Sequence, residues 1–211
     1  MATAMMERDL NARARKQAEA GFSLLEVMLS VVILTVGLVS LLGVFGLAMA
    51  STQTTQEDMI AKQLANEAYE SIVTARNTSQ ISWDAIQNNQ GTQYCTDTPA
   101  PCGIFVGNAT ARLFQPIYNA GADGIFGTAD DANAGVQTLE EPGADGKYGD
   151  VDDVILPLTG FQRAIQIAPL FDASGNVEPS LRSVTITMQY QTPKSKLQKT
   201  YVLNSYISQY Q

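Results

Sequence analysis

The 211-residue chain has no histidine, two cysteines, one tryptophan, and 13 lysines and arginines against 21 acids. Each scarcity excludes something. Without histidine there is no Ser-His-Asp or Cys-His catalysis, no imidazole zinc site and no histidine pH switch. A formal charge of −8 with few bases argues against nucleic acid, because phosphate binding needs clustered Lys and Arg. Two cysteines alone do not make a zinc site, which takes four ligands. The acidity is local. Nine acids and one base, Lys147, lie between Gly121 and Asp153, so that stretch sums to −8 and the rest of the chain to zero.

Charge is also missing from one long run. Residues 1–20 are polar and mixed, with Arg8, Arg13, Arg15 and Lys16 against Glu7, Asp9 and Glu19, but Val27 to Ala50 holds no charged residue. As a helix those 24 residues reach about 36 Å, enough to cross a hydrocarbon core of about 30 Å. The bases on the N-terminal side predict an N-in orientation, with everything after Ala50 outside the cytoplasm. The run is too long for the apolar region of a Sec-type signal peptide. Glu26, at the head of the run, either lies at headgroup level or has a dedicated partner.

The segment Gly21-Phe22-Ser23-Leu24-Leu25-Glu26, behind a basic polar leader and ahead of the apolar run, resembles the class III signal of type IV pilins and pseudopilins. The resemblance implies cleavage between Gly21 and Phe22 by a membrane-embedded prepilin peptidase, which also N-methylates Phe22. It further implies that Glu26 of one subunit pairs with the Phe22 amine of a neighbour, an assembly contact favoured because an unpaired charge is costly in low dielectric. Major pilins often carry a proline midway through this helix, and none occurs here between Phe22 and Pro99.

Beyond Ala50 the pattern turns amphipathic. Ile60, Leu64, Ala68 and Ile72 recur every four residues, flanked by Ala61, Ala65 and Ala75, with Glu57, Asp58, Lys62, Glu67, Glu70 and Arg76 mainly opposite. One helix is predicted from Phe22 to about Thr78. Ser183 to Tyr190 alternates as a strand, and Phe161–Ile167 and Thr200–Ile207 do so less regularly. Asp172 to Asn176 is a turn signal, and Gln191 to Gln198 is read as the second link. The expected fold is α+β: a long N-terminal helix, membrane-spanning in its first half, packed on a small antiparallel β-sheet head. The last strands resemble those of PilV-type minor pilins. The expected division is a leader 1–21, an apolar helix half 22–50, an amphipathic half 51–80, and a head 81–211 carrying an acidic insert 121–153.

Cys95 and Cys102, outside the cytoplasm on this topology, are expected to form a disulfide; the alternative is two free thiols in a flexible loop. Within the insert, Gly121-Ala122-Asp123-Gly124-Ile125-Phe126-Gly127-Thr128-Ala129-Asp130-Asp131 recurs 22 residues later as Gly143-Ala144-Asp145-Gly146-Lys147-Tyr148-Gly149-Asp150-Val151-Asp152-Asp153. Two copies are too few for a solenoid. Each is either a solvated acidic loop or a calcium loop in which Asp123, Asp130 and Asp131, or Asp145, Asp150, Asp152 and Asp153, offer hard oxygen ligands. The loops are not EF-hands, and they are similar to Asp/Gly-rich calcium loops of secreted bacterial proteins.

Three functions fit these features. The first is a non-catalytic minor pilin in the bacterial inner membrane and then in a pilus at the cell surface. Its partners would be the prepilin peptidase, other pilin or pseudopilin subunits and the inner-membrane assembly machinery. The second is a minor pseudopilin of type II secretion. The third is a membrane-anchored calcium-binding adhesion module with an uncleaved Met1. An enzyme is not expected: paired acids serve glycosidases, but these lie in a Gly-rich loop with no aromatic-lined cleft evident from the sequence.

Overall fold

The computed structural model describes residues 22–95, 102–192 and 195–210, with residues 195–197 as backbone only. The chain divides into two compact units between Met49 and Ala50, and one helix, α1 (Leu24–Asn77), contributes to both. In the first unit α1 carries Leu, Val, Ile, Met and Phe on every side, and none of its residues is buried. That portion is long and apolar enough to cross a membrane. A helix apolar all round is stable only where lipid or other helices cover it.

In the second unit α1 becomes one-sided. Ala61, Leu64, Ala65, Ala68, Ile72 and Ala75 are buried, at spacings of three and four residues. The alanines keep the stripe shallow, so the sheet approaches the helix closely, while Leu64 and Ile72 fill the gap. Burying an isoleucine such as Ile72 contributes about 2–3 kcal/mol. The helix ends in a Schellman arrangement: Gln80 N–H donates to Ala75 O and Ser79 N–H to Arg76 O, both at 3.0 Å. Ser79 occupies the left-handed position (φ 55°) that glycine usually takes.

Eight strands follow: β1 (Asn88–Gln90), β2 (Phe105–Asn108), β3 (Gln115–Pro116), β4 (Thr138–Glu141), β5 (Val154–Pro157), β6 (Phe161–Phe171), β7 (Val177–Thr192) and β8 (Ser195–Ser208). The main sheet has the order β3-β6-β7-β8, all antiparallel, with Ile165 opposite Ile186 and Ile186 opposite Leu203. Strand alternation sends Phe161, Ile165, Ile167, Val184, Ile186, Met188, Tyr190 and Ile207 into one core with the α1 stripe. Polar contacts tie the helix to the sheet: Tyr190 OH donates to Asp58 at 2.7 Å, Lys199 pairs with Asp58 at 3.1 Å, and Ser205 Oγ donates to Tyr69 OH at 2.7 Å.

The α+β layout and the three-strand meander β6-β7-β8 agree with the sequence reading. The link between β7 and β8 does not. Thr192 pairs with Ser195 and Gln191 with Gln198, so strand occupies most of the expected loop; residues 193–194 lie outside the described residues. Backbone pairing, not an apolar face, continues the strands there, and pairing leaves no mark in hydrophobic alternation. The sequence reading also missed two small sheets, the parallel pair β1-β2 and the hairpin β4-β5 that bears the second acidic copy.

Candidate functional site

Phe22 precedes α1 and is 82% exposed, and Glu26 lies in the first helical turn, also exposed. A carboxylate is favoured there, because the first-turn N–H groups form the positive end of the helix dipole. The hydroxyls of Ser30, Thr35 and Ser40 each donate to a carbonyl one turn back at 2.7–2.8 Å. Glu26 has no such internal solution: among the described residues no cation lies within ion-pair distance of it. Gly21, with the rest of the leader, lies outside the described residues.

Cys95 and Cys102 are joined, with S–S at 2.11 Å and Cα–Cα at 5.9 Å. Residues 96–101, which they enclose, lie outside the described residues. Buried Gln87 anchors the near side: its Nε2 donates to Asp84 O and Tyr94 O, both at 2.8 Å, and its Oε1 accepts the Tyr94 N–H at 2.7 Å.

The sequence repeat is a structural repeat. In the first copy the Asp131 carboxylate accepts N–H groups of Gly121 at 3.0 Å and Gly127 at 2.6 Å; in the second, Asp153 accepts those of Gly143 at 3.2 Å and Gly149 at 2.5 Å. Asp123 accepts the Ile125 N–H at 2.8 Å, and Asp145 the Lys147 N–H at 2.9 Å. Gly124 and Gly146 close matching turns at φ 69° and 73°, and Gly127 and Gly149 lie at φ 92° and 89°, values that disfavour any side chain. A Cβ at Gly121 would displace the Asp130 carboxylate, and one at Gly143 would collide with both the carboxylate and the backbone carbonyl of Asp152.

Carboxylate oxygens of Asp123, Asp130 and Asp131 lie within 4.8 Å of one another, as do those of Asp145, Asp150 and Asp152. Asp153, named with them from the sequence, stands outside the second group. A side-chain hydrogen bond with Asp153, ahead of burial and of the Asp153 charge, holds the Glu140 carboxyl above its ordinary value. In the first loop the Thr128 hydroxyl, donating at 2.6 Å, holds Asp130 below the usual carboxylate range, whereas burial pushes Asp131 up.

The two copies differ in their surroundings. The first is docked: Ile125, Thr128 and Asp131 are buried, Phe126 N–H donates to Ser71 of α1 at 3.3 Å, and Gly127 O accepts Val106 N–H of β2 at 2.6 Å. The second stands out from the β4-β5 hairpin, with Tyr148 and Val151 exposed.

Sequence reading passed over two buried arginines. Arg182 is satisfied: Nη1 donates to Trp83 O and Ile86 O at 2.6 Å, Asp84 lies 3.9 Å away, and the guanidinium stacks 4.4 Å from the Trp83 ring centroid. Arg163 stacks 5.1 Å from the Phe126 ring centroid, yet its buried Nη1 has no hydrogen-bond partner among the described residues. Burial pulls its pKa down to about 10, against the attraction of Asp131 and then Glu67. The available signal was its register: Arg163 falls on the inward row between Phe161 and Ile165, where a charge is out of place.

No curated protein and no solved structure matches the chain. Residues 16–42 match the family model described as the prokaryotic N-terminal methylation motif. That span takes in Gly21, Phe22 and Glu26 and the first part of the apolar helix, so the chain carries the class III signal of the type IV pilins.

Proposed function

We propose that this protein is a minor type IV pilin, a non-catalytic subunit cut between Gly21 and Phe22 and assembled through its apolar helix. The observation that carries the reading is a class III signal joined to a helix half with no buried residue. Such a surface anchors the chain in a membrane before assembly and is covered by equivalent helices afterwards. The new Phe22 amine of one subunit then meets Glu26 of its neighbour, four residues along, neutralising two charges in a medium where either alone is expensive. The basic leader supports an N-in orientation, with the head outside the cytoplasm and then on the cell surface. Prepilin peptidase, other pilin subunits and the inner-membrane assembly machinery are the partners this requires.

Intact mass and N-terminal sequencing, from cells with and without their prepilin peptidase, test processing. A methylated Phe22 terminus is expected only with the peptidase, and a mature chain that keeps Met1 sinks the reading in favour of an uncleaved adhesion module. Replacing Glu26 by alanine or glutamine is expected to abolish incorporation into fibres. A minor pseudopilin of type II secretion uses the same signal and helix; copurification of the wild-type chain with pilus or with secretion-system subunits separates the two. The matching geometry of the acidic loops also favours calcium, at dissociation constants of about 10⁻⁴–10⁻³ M. A melting temperature unmoved by millimolar calcium would reject it.

A further inference from the structure

Arg163 opens onto a cleft of about 190 Å³ between β2, β3, β6 and the first acidic loop. Burial of a guanidinium is normally matched by an ion pair or carbonyl acceptors, as at Arg182. Arg163 has neither: its Nη1 is buried without a partner, and no carboxylate lies within ion-pair distance among the described residues. Asp131, which also lines the cleft, accepts the Gly121 and Gly127 N–H groups and forms no ion pair with Arg163 among the described residues. The Gln115 and Tyr118 side chains stand in the same wall, and Val106, Pro116 and Ile165 supply an apolar lining.

A forked donor with adjoining amide and phenol groups above apolar walls matches a carboxylate better than a phosphate, which would bring a second charge close to Asp131. The volume is ample for a carboxylate and a few methylenes. We propose that this cleft binds a carboxylate on a short aliphatic stem, with Arg163 as its counter-charge. The group is either a free short-chain acid or an acidic side chain presented by another polypeptide.

The test uses the full chain in detergent micelles, titrated with sodium butyrate and, in parallel, with a capped tripeptide Ala-Glu-Ala, followed by ligand-observed NMR. Butyramide and the Ala-Gln-Ala peptide are the neutral controls, at matched ionic strength. Saturable binding is expected in at least one arm, with the neutral analogue at least roughly tenfold weaker, and the responding arm identifies the source. Arg163→Lys keeps the charge but loses the fork and is expected to weaken binding about tenfold, while Arg163→Met abolishes it. Ala132→Leu, at the exposed rim, fills the cleft without touching the arginine and is also expected to abolish binding, which decides the matter if the Arg163 variants do not fold. No binding in either arm, equal binding of the neutral analogues, or binding that survives Ala132→Leu overturns the proposal.

Discussion

Two loops with one set of hydrogen bonds and different burial make a natural experiment. Replacing Asp131 by alanine removes the acceptor of the Gly121 and Gly127 N–H groups, and Asp153→Ala removes the acceptor of the equivalent Gly143 and Gly149 pair. Asp131 is 3% exposed, in a loop whose Ile125 is 1% exposed, so water does not readily replace the lost acceptor. Each orphaned amide then costs about 1–2 kcal/mol, giving about 2–4 kcal/mol in all. Buried Arg163, which feels the Asp131 charge, adds to that loss. With a urea slope of about 2 kcal/mol/M the midpoint falls by about 1–2 M. The Gly143 and Gly149 amides lie near the surface, where water takes the place of the carboxylate, so Asp153→Ala should leave the midpoint close to wild type. Both variants are unfolded in EDTA, followed by fluorescence of the single tryptophan, Trp83. Equal losses would refute the argument, because they would mean that loop geometry, and not burial, sets the energy.

The contact between Asp58 and Tyr190 adds a pH signature. The Tyr190 hydroxyl, ahead of Lys199, holds Asp58 below its ordinary value of 3.8, so its contribution is complete above that value and is lost as pH falls through the lower folded value. Tyr190→Phe should therefore destabilise by about 1 kcal/mol at pH 7, with the gap to wild type closing below pH 3.8 in urea melts; a gap independent of pH contradicts this assignment. Ser79→Gly should stabilise by about 0.5–1 kcal/mol in the same melts, since it relieves a left-handed backbone at the helix end. Reducing Cys95–Cys102 should lower stability by about 2–3 kcal/mol, the loop-closure value for so short a ring, and Cys95→Ala with Cys102→Ala should reproduce that loss without reductant.

What could be read from the chain alone followed from periodicity and composition. An uncharged run, a glycine-aromatic junction and Glu26 are local facts, and they determined the helix, its anchoring and the class III signal. The 3.6-residue stripe around Leu64 and Ile72 and the alternation around Ile186 determined which faces meet. The acidic repeat was visible as a repeat because identical spacings make identical turns. Tertiary structure alone decided the rest. Both acidic copies read the same, yet one is held against α1 and β2 while the other stands out on the β4-β5 hairpin, because Ile125 finds the core and Lys147 at the equivalent position cannot. The extension of β7 and β8 through Thr192 and Ser195 came from backbone pairing, which is indifferent to side-chain polarity. The unpartnered Nη1 of Arg163, among the described residues, likewise depends on which carbonyls and carboxylates the fold brings near it. Those neighbours are distant in sequence, and no local pattern encodes them.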